Sequence, residues 1–210
     1  MLLTRTANAG VLLELDGVKI LLDGVCREGE TYLGTPDSLR AQLEQSFPDA
    51  VAVTHGHLDH FDPDYGALYT DATGRPVLTP DCVAGPVQVG NVTLTALPGR
   101  HIGPAYKDMP HVSYIMQGSK TVWFMGDSAP SQWRGKDMPK PDVIIAPYAY
   151  ANTAASWALT QSLGAQDLVL VHLPDRSNDP HGLWSGVLEA TAGGGACGLH
   201  IPMIGQTLTI

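Results

Sequence analysis

Seven consecutive residues restrict this chain more than any other stretch. Thr54-His55-Gly56-His57-Leu58-Asp59-His60, at the end of the short apolar run 50–54, packs three imidazoles and a carboxylate into six positions. Imidazole nitrogen and carboxylate oxygen suit zinc, manganese and iron, and Gly56 lets the loop bend so that alternate side chains face different ions. The competing reading is an ordinary polar surface loop. One loop seldom completes a metal site, so the other histidines and acids are sorted by their place relative to expected strands. His101 follows 92–97 across a Pro98-Gly99 turn, Asp127 follows 121–125, and His172 ends 168–171. Like His55, each stands at the carboxyl end of an expected strand, and side chains from such ends converge on one edge of a layered sheet. His111, just before the strand at Val112, and His200, inside the terminal strand region, are expected to be structural or surface residues. His181, at an expected helix start beyond His172, is a candidate to support a ligand or touch a substrate.

The elements around these residues read as α/β (α+β). Aliphatic runs at 11–15 and 18–22 flank Asp16-Gly17, a pair that accepts positive φ in a hairpin turn. Thr35-Pro36 is expected to cap and open a helix with Leu39, Leu43 and Phe47 at four-residue spacing, stopped by Pro48. Strands are expected at 50–54, 76–78, 92–97, 112–116, 121–125, 143–146 and 168–171, with helices over 153–163 and from Asp179-Pro180 to about Ala190. Two short strands around Gly205 complete residues 199–210. No repeat or long linker divides the sequence, and 210 residues at 44% hydrophobic and 16% charged content suit one domain, 1–210, with a packed core.

Charge and cysteine usage narrow the function classes. Twelve Lys and Arg against 21 Asp and Glu leave a formal charge of -9, which repels phosphate backbones, so no nucleic-acid partner is expected. The uncharged stretch 143–166 is long enough for a membrane span, but Pro147, Asn152, Thr153, Thr160, Gln161, Ser162 and Gly164 interrupt it, and no membrane association is expected. Cys26, Cys82 and Cys197 cannot all pair and form no CxxC unit, as free thiols in a reducing cytoplasm would be. The start MLLTRTANAGVLLELDG lacks a basic segment followed by a long apolar region, so no signal peptide is expected.

Thr54 to His60, followed in order by His101, Gly126-Asp127 and His172 and preceded by Leu21-Leu22-Asp23-Gly24, resembles the metallo-β-lactamase superfamily of metal-dependent hydrolases over nearly the whole chain. The resemblance implies a four-layer αββα sandwich and two divalent metal ions, zinc foremost, with manganese, iron or nickel compatible with the same donors. His55, His57 and His101 would hold one ion and Asp59, His60 and His172 the other, with Asp127 bridging; Asp23 would orient a ligand histidine. Around His101 the sequence LPGRHIGP lacks the HTPGHT-like run of glyoxalase and class B lactamase relatives and is more similar to small lactonase-like and phosphodiesterase-like hydrolases. Too few residues remain for a nuclease cap domain or a flavodoxin partner.

The implied activity is hydrolysis of a small ester, lactone or phosphodiester by metal-activated water, with Asp59 orienting the water and moving its proton. Two other classes share the ligand set: an iron-dependent sulfur oxygenase on the same scaffold, against which Asp59, His60 and His172 speak, and a non-catalytic metal-binding protein. Substrate choice would fall to loops 26–34, 103–110, 128–141 and 147–153. Tyr148 and Tyr150 follow a strand ending on the metal side, where each either donates to a substrate oxygen or packs beneath the next helix. Arg100 and Lys107 are expected to be solvated, and Trp133 and Trp184 to pack. The partner is then a small-molecule substrate, with room left for a homodimer.

Overall fold

The computed structural model describes residues 1–82 and 84–210. In chain order it contains β1 (Leu2–Arg5), β2 (Val11–Leu15), β3 (Val18–Leu22), α1 (Asp37–Gln45), β4 (Ala50–Ala52), α2 (Pro63–Thr73), β5 (Val87–Val89) and β6 (Val92–Gly99). Then follow β7 (His111–Gln117), β8 (Thr121–Phe124), β9 (Val143–Pro147), α3 (Ala154–Ser162), β10 (Asp167–Val171), α4 (Leu183–Thr191), β11 (Gly198–His200) and β12 (Thr207–Thr209). They build a five-stranded sheet in the order β12-β1-β2-β3-β4 and a seven-stranded sheet in the order β11-β10-β9-β8-β7-β6-β5.

Period-two patterning turns these sheets into layers. In β2, Val11, Leu13 and Leu15 point into the space between the sheets, where Leu94, Tyr114, Met116 and Val122 meet them. The outward Leu21 and Val51 pack under α1 and α2 through Leu43, Tyr65 and Tyr69. The parallel strands β9 and β10 bury both faces: Val143, Ile145 and Val169 face the other sheet, whereas Ile144, Leu168 and Leu170 face Trp157 on α3 and Trp184 and Val187 on α4. The result is the αββα sandwich of the metallo-β-lactamase fold. Among the described residues, no helix is long and apolar enough to cross a membrane.

The hairpin forms as expected, with Asp16 at φ 52° and Gly17 at φ 79° between β2 and β3. Other elements differ from the sequence reading. Thr35 does not cap α1, because its hydroxyl accepts from the Cys26 N–H (3.2 Å) and leaves Pro36 at the cap position. Residues 76–78 make no strand; Leu78 forms an isolated bridge to Ala52. Helix α2 was not anticipated, although Asp62 caps it and Pro63 opens it. Pro98-Gly99 is no turn: β6 runs through both residues, with Pro98 opposite Val112 and Gly99 opposite His111. Proline is tolerated there because the Val112 N–H turns away to the Thr54 carbonyl at 2.9 Å, so the ladder asks no donor of Pro98. Helix α4 begins at Leu183 rather than at Pro180, while the Asp179 carboxylate still accepts from the N–H groups of Leu183 and Trp184, both at 2.9 Å. The two terminal strands exist but lie in different sheets, β11 beside β10 and β12 beside β1.

Candidate metal centre

The loop after β4 folds tightly because the His57 carbonyl accepts from both the His60 and Phe61 N–H groups at 3.0 Å. Asp23, just past β3, anchors it. Its Oδ1 accepts from the Thr54 N–H (2.7 Å), and its Oδ2 accepts from the Thr54 hydroxyl (2.6 Å) and from His60 Nδ1–H (2.7 Å). A carboxylate only accepts, so the Thr54 hydroxyl proton points to Asp23 and the Thr54 oxygen takes the His55 Nδ1–H at 2.9 Å. His101 Nδ1–H likewise donates to the Ile102 carbonyl (2.6 Å). His55, His60 and His101 are therefore all held in the tautomer that leaves Nε2 with a free lone pair.

Those lone pairs converge. His55, His57 and His101 form one group whose donor atoms lie within 4.8 Å of one another, and Asp59, His60 and His172 form another. His55 Nε2 and His57 Nδ1 are 3.0 Å apart, close to the roughly 3.3 Å that separates two imidazole nitrogens on a tetrahedral zinc. Asp127 stands between the groups, with Oδ1 3.5 Å from His60 Nε2 and Oδ2 3.5 Å from His101 Nε2 and 3.6 Å from His172 Nε2. Asp23 also lies near His55 and His60, but its oxygens already accept three hydrogen bonds, which makes it an orienter of His60.

Two observations test whether a divalent ion suits these residues. His60 Nε2, His101 Nε2 and Asp127 Oδ1 are buried without a hydrogen-bond partner, whereas His172 Nε2 faces Asp59 Oδ2 at 3.0 Å; each orphan costs about 1–3 kcal/mol unless a cation takes the lone pairs. The electrostatics agree. Burial opposes charge throughout, yet Asp127 and Asp23 raise the His60 imidazole well above its usual range, Asp127 and Asp59 raise His172, and these histidines together hold the Asp127 carboxyl well below its own. A field that pulls protons onto buried imidazoles equally favours a metal cation. Two glycine positions let the loops meet. A Cβ on Gly126, at φ 51°, would lie 2.6 Å from the Thr54 side chain, and one on Gly10 would lie 2.2 Å from the Asp23 carbonyl oxygen.

Sequence reasoning overlooked several contributors. Asn8, on the β1–β2 loop, donates from Nδ2 to Asp59 Oδ2 (3.1 Å), while its carbonyl accepts the His172 N–H (2.9 Å). His172 needs that support, since it sits at φ 61°, a left-handed conformation that L side chains rarely adopt. Arg5, only 4% exposed, donates to the carbonyls of Ala7, Asn8, Leu173 and Pro202 at 2.8–3.2 Å and so binds this corner together; burial lowers its guanidinium to about 10. Tyr106 holds its ring centroid 4.8 Å from that of His57 and 5.0 Å from that of His101. Only the 103–110 loop as a whole was legible; an arginine in a strand and an asparagine in a turn carry no motif.

The remaining candidates divide. Tyr148, half-buried, stands 6.1 Å from the His172 ring. Tyr150 does not face the site: it is wholly buried, with its hydroxyl 3.0 Å from Ser128 Oγ and accepting Trp133 Nε1–H at 3.1 Å, beneath the Asp127 loop. His181 is exposed on the segment before α4 and belongs to neither ligand group, because the helix starts two residues beyond it. His111 is no surface residue. It is buried 5.3 Å from the His55 ring with neither nitrogen paired, and burial lowers it to about 4. His200 Nε2 pairs with Asp167 Oδ1 at 2.8 Å and joins β11 to β10. Arg100 and Lys107 are exposed, and Trp133 and Trp184 pack in the core.

Comparison with known proteins places this geometry. The family described as "Beta-lactamase superfamily domain" matches residues 3–163. Isothiocyanate hydrolase from Delia radicum gut bacteria is similar in structure, at 17% identity and TM-score 0.68, over 100% of this chain and 99% of that one. Igni18, a metallo hydrolase from Ignicoccus hospitalis, is similar at 21% identity and TM-score 0.63, over 100% of this chain and 97% of that one. CmlA, a diiron β-hydroxylase from Streptomyces venezuelae, is similar at 14% identity and TM-score 0.62, over 100% of this chain and 54% of that one. At such identities the likeness is one of fold. No match was found among curated proteins.

Proposed function

The chain belongs to the beta-lactamase superfamily, and on that premise we propose that it is a metal-dependent hydrolase of a small ester, lactone or phosphodiester with a two-metal centre. The observation that carries the reading is the convergence of donor atoms from His55, His57, His60, His101, Asp127 and His172, with Asp59, on one edge of the sandwich, where those of His60, His101 and Asp127 are left without a hydrogen-bond partner. His55, His57 and His101 would hold one divalent ion, Asp59, His60 and His172 the other, and Asp127 would contact both. Bound there, the ions would supply Lewis-acid polarisation of a substrate oxygen and a water acidic enough to ionise near neutral pH. Zinc is the metal we assign first; manganese, iron and nickel accept the same nitrogen and oxygen donors.

The chain's own groups do the rest. Asp59 accepts from Asn8 at Oδ2 and, among the described residues, makes no hydrogen bond at Oδ1; its side chain is 17% exposed, so that oxygen is free to hold a proton taken from water. Asp23 and Thr54 keep the ligand imidazoles in register. Tyr148, beside His172, places a phenol where it would donate to a substrate oxygen. The charge of -9 supports a small molecule as partner over nucleic acid, and three cysteines that form no disulfide among the described residues support a reducing compartment such as the cytoplasm. The test is to make His57→Ala and Asp127→Ala separately, measure bound metal by elemental analysis, and assay aryl esters and aryl phosphodiesters. Each variant should lose at least one of two metal equivalents and at least a hundredfold in activity. Full metal content in both would overturn the site, and oxygen uptake by iron-loaded protein without hydrolysis would move the reaction class to an oxygenase.

A further inference from the structure

We propose that the cleft bordering His55 is a subsite for an uncharged alkyl or aryl substituent of the substrate. This rests on the hydrolytic reading and deepens it. The cleft has a volume of about 290 Å³ and is walled by Val53, Phe61, Met109 and Pro110, with His55 and Gly56 on the side of the metal centre. That volume lies at the small end of the ~300–1,000 Å³ typical of ligand pockets, enough for one substituent but not for a whole drug-sized molecule. His55 belongs both to this wall and to the ligand group with His57 and His101, so the cleft borders the metal centre directly. A Cβ at Gly56 would meet nothing within 4 Å, so the backbone leaves room for such a group to pass.

Two features set the chemistry. Among the described residues, no Lys or Arg lines the cleft and one carboxylate, Asp81, does, so a phosphate or carboxylate there would find no counterion and would meet repulsion. Leu58, between two of the ligand-group residues, is 62% exposed, an apolar side chain on the ligand loop that a substrate with a hydrophobic part would cover. The 103–110 loop serves both regions: Tyr106 lies beside the His57 and His101 rings and Met109 forms part of the cleft wall.

The experiment pairs turnover with binding. For metal-loaded wild type, kcat/KM for p-nitrophenyl esters from acetate to octanoate should rise roughly fourfold per methylene until the cleft is filled, from about 0.8 kcal/mol per buried CH2, and then level off. Met109→Trp, which fills the cleft, should flatten that series, and Met109→Ala should move its plateau to a longer chain. In parallel, saturation-transfer NMR with 2-octanone, which is not hydrolysed, should show contact through its alkyl protons in wild type and at least a tenfold weaker interaction in Met109→Trp. Ester turnover with no chain-length dependence in any of the three proteins would overturn the subsite and leave the hydrolytic reading intact. Ketone binding lost in Met109→Trp, together with no turnover of any ester or aryl phosphodiester, would support the subsite and overturn the hydrolytic reading. Ketone binding equal in wild type and Met109→Trp would overturn the subsite.

Discussion

Asp23 shows how much one side chain sets at this centre. As a carboxylate it accepts from the Thr54 N–H, the Thr54 hydroxyl and His60 Nδ1–H at 2.6–2.7 Å, and through them it determines which nitrogen of His55 and His60 is left bare. In Asp23→Asn an amide NH2 must face one of those donors, and the His60 ring is freed to turn or change tautomer. The expected outcome is a 10- to 100-fold loss of metal affinity, read by chelator competition, with the retained secondary structure checked by circular dichroism. Asn8 supplies a cleaner separation of roles, because its side chain holds Asp59 whereas its main chain holds His172. Asn8→Ala removes only the first contact. It should weaken the ion held by Asp59, His60 and His172 about tenfold while the ion held by His55, His57 and His101 stays bound; loss of both ions together, measured by stepwise metal titration, would contradict that division.

Helix α2 anchors the element scale. Asp62 caps it by accepting the Asp64 N–H (3.1 Å), and the same carboxylate pairs with Arg40 Nη1 (2.6 Å) and Arg27 Nε (3.2 Å) with 1% of its side chain exposed. Burial pushes the carboxyl up, but the bonds from Arg40 and Asp64 and the two arginine charges outweigh it and leave it lowered. A lowered folded-state carboxyl contributes stability above the unfolded value of ~3.9 and loses it as pH falls below that. Asn caps a helix as well as Asp, so Asp62→Asn loses only the charged bonds to the arginines and should be less stable than wild type by about 1.5–3 kcal/mol at pH 7, with the difference shrinking below about pH 4, as urea midpoints at the two pH values would register. The helix itself went unread because its core face is carried by Tyr65, Gly66 and Tyr69 alone, too sparse for a 3.6-residue apolar rhythm, although Asp62-Pro63 was a legible start signal. Strand β6 failed in the opposite direction: Pro98 signals a break, and only the diversion of the Val112 N–H to Thr54 shows why the strand continues.

Over the whole molecule, the centre draws on loops from both sheets. Asn8, Asp23 and residues 55–60 come from the five-stranded sheet, and His101, Asp127 and His172 from the seven-stranded one, so a bound ion would cross-link the two halves of the core. Removing metal with a chelator should lower Tm by roughly 5–10 °C, from about 2.7 kcal/mol at a hundredfold excess over Kd and ~2–4 °C per kcal/mol for a chain of this length, and zinc should restore it; an unchanged Tm would argue against an ion spanning the sheets. Two kinds of information meet in this arrangement. The sequence by itself determined what depends on neighbours along the chain: the Asp16-Gly17 hairpin, the buried runs of β9 and β10, the density of ligands in 55–60, and the placing of His101, Asp127 and His172 beyond expected strands, because backbone propensity and side-chain alternation are local properties. Only the tertiary structure decided which loop residues look inward. Tyr148 faces His172 while Tyr150, two positions on, is locked beneath Asp127; His181 stays outside because α4 starts late; Arg5 and Asn8 reach the centre through carbonyls and an amide that no motif announces; and β11 and β12, adjacent in the chain, part to opposite sheets. Each of these depends on which surface a turn packs against, and that is settled by contacts between segments remote in sequence.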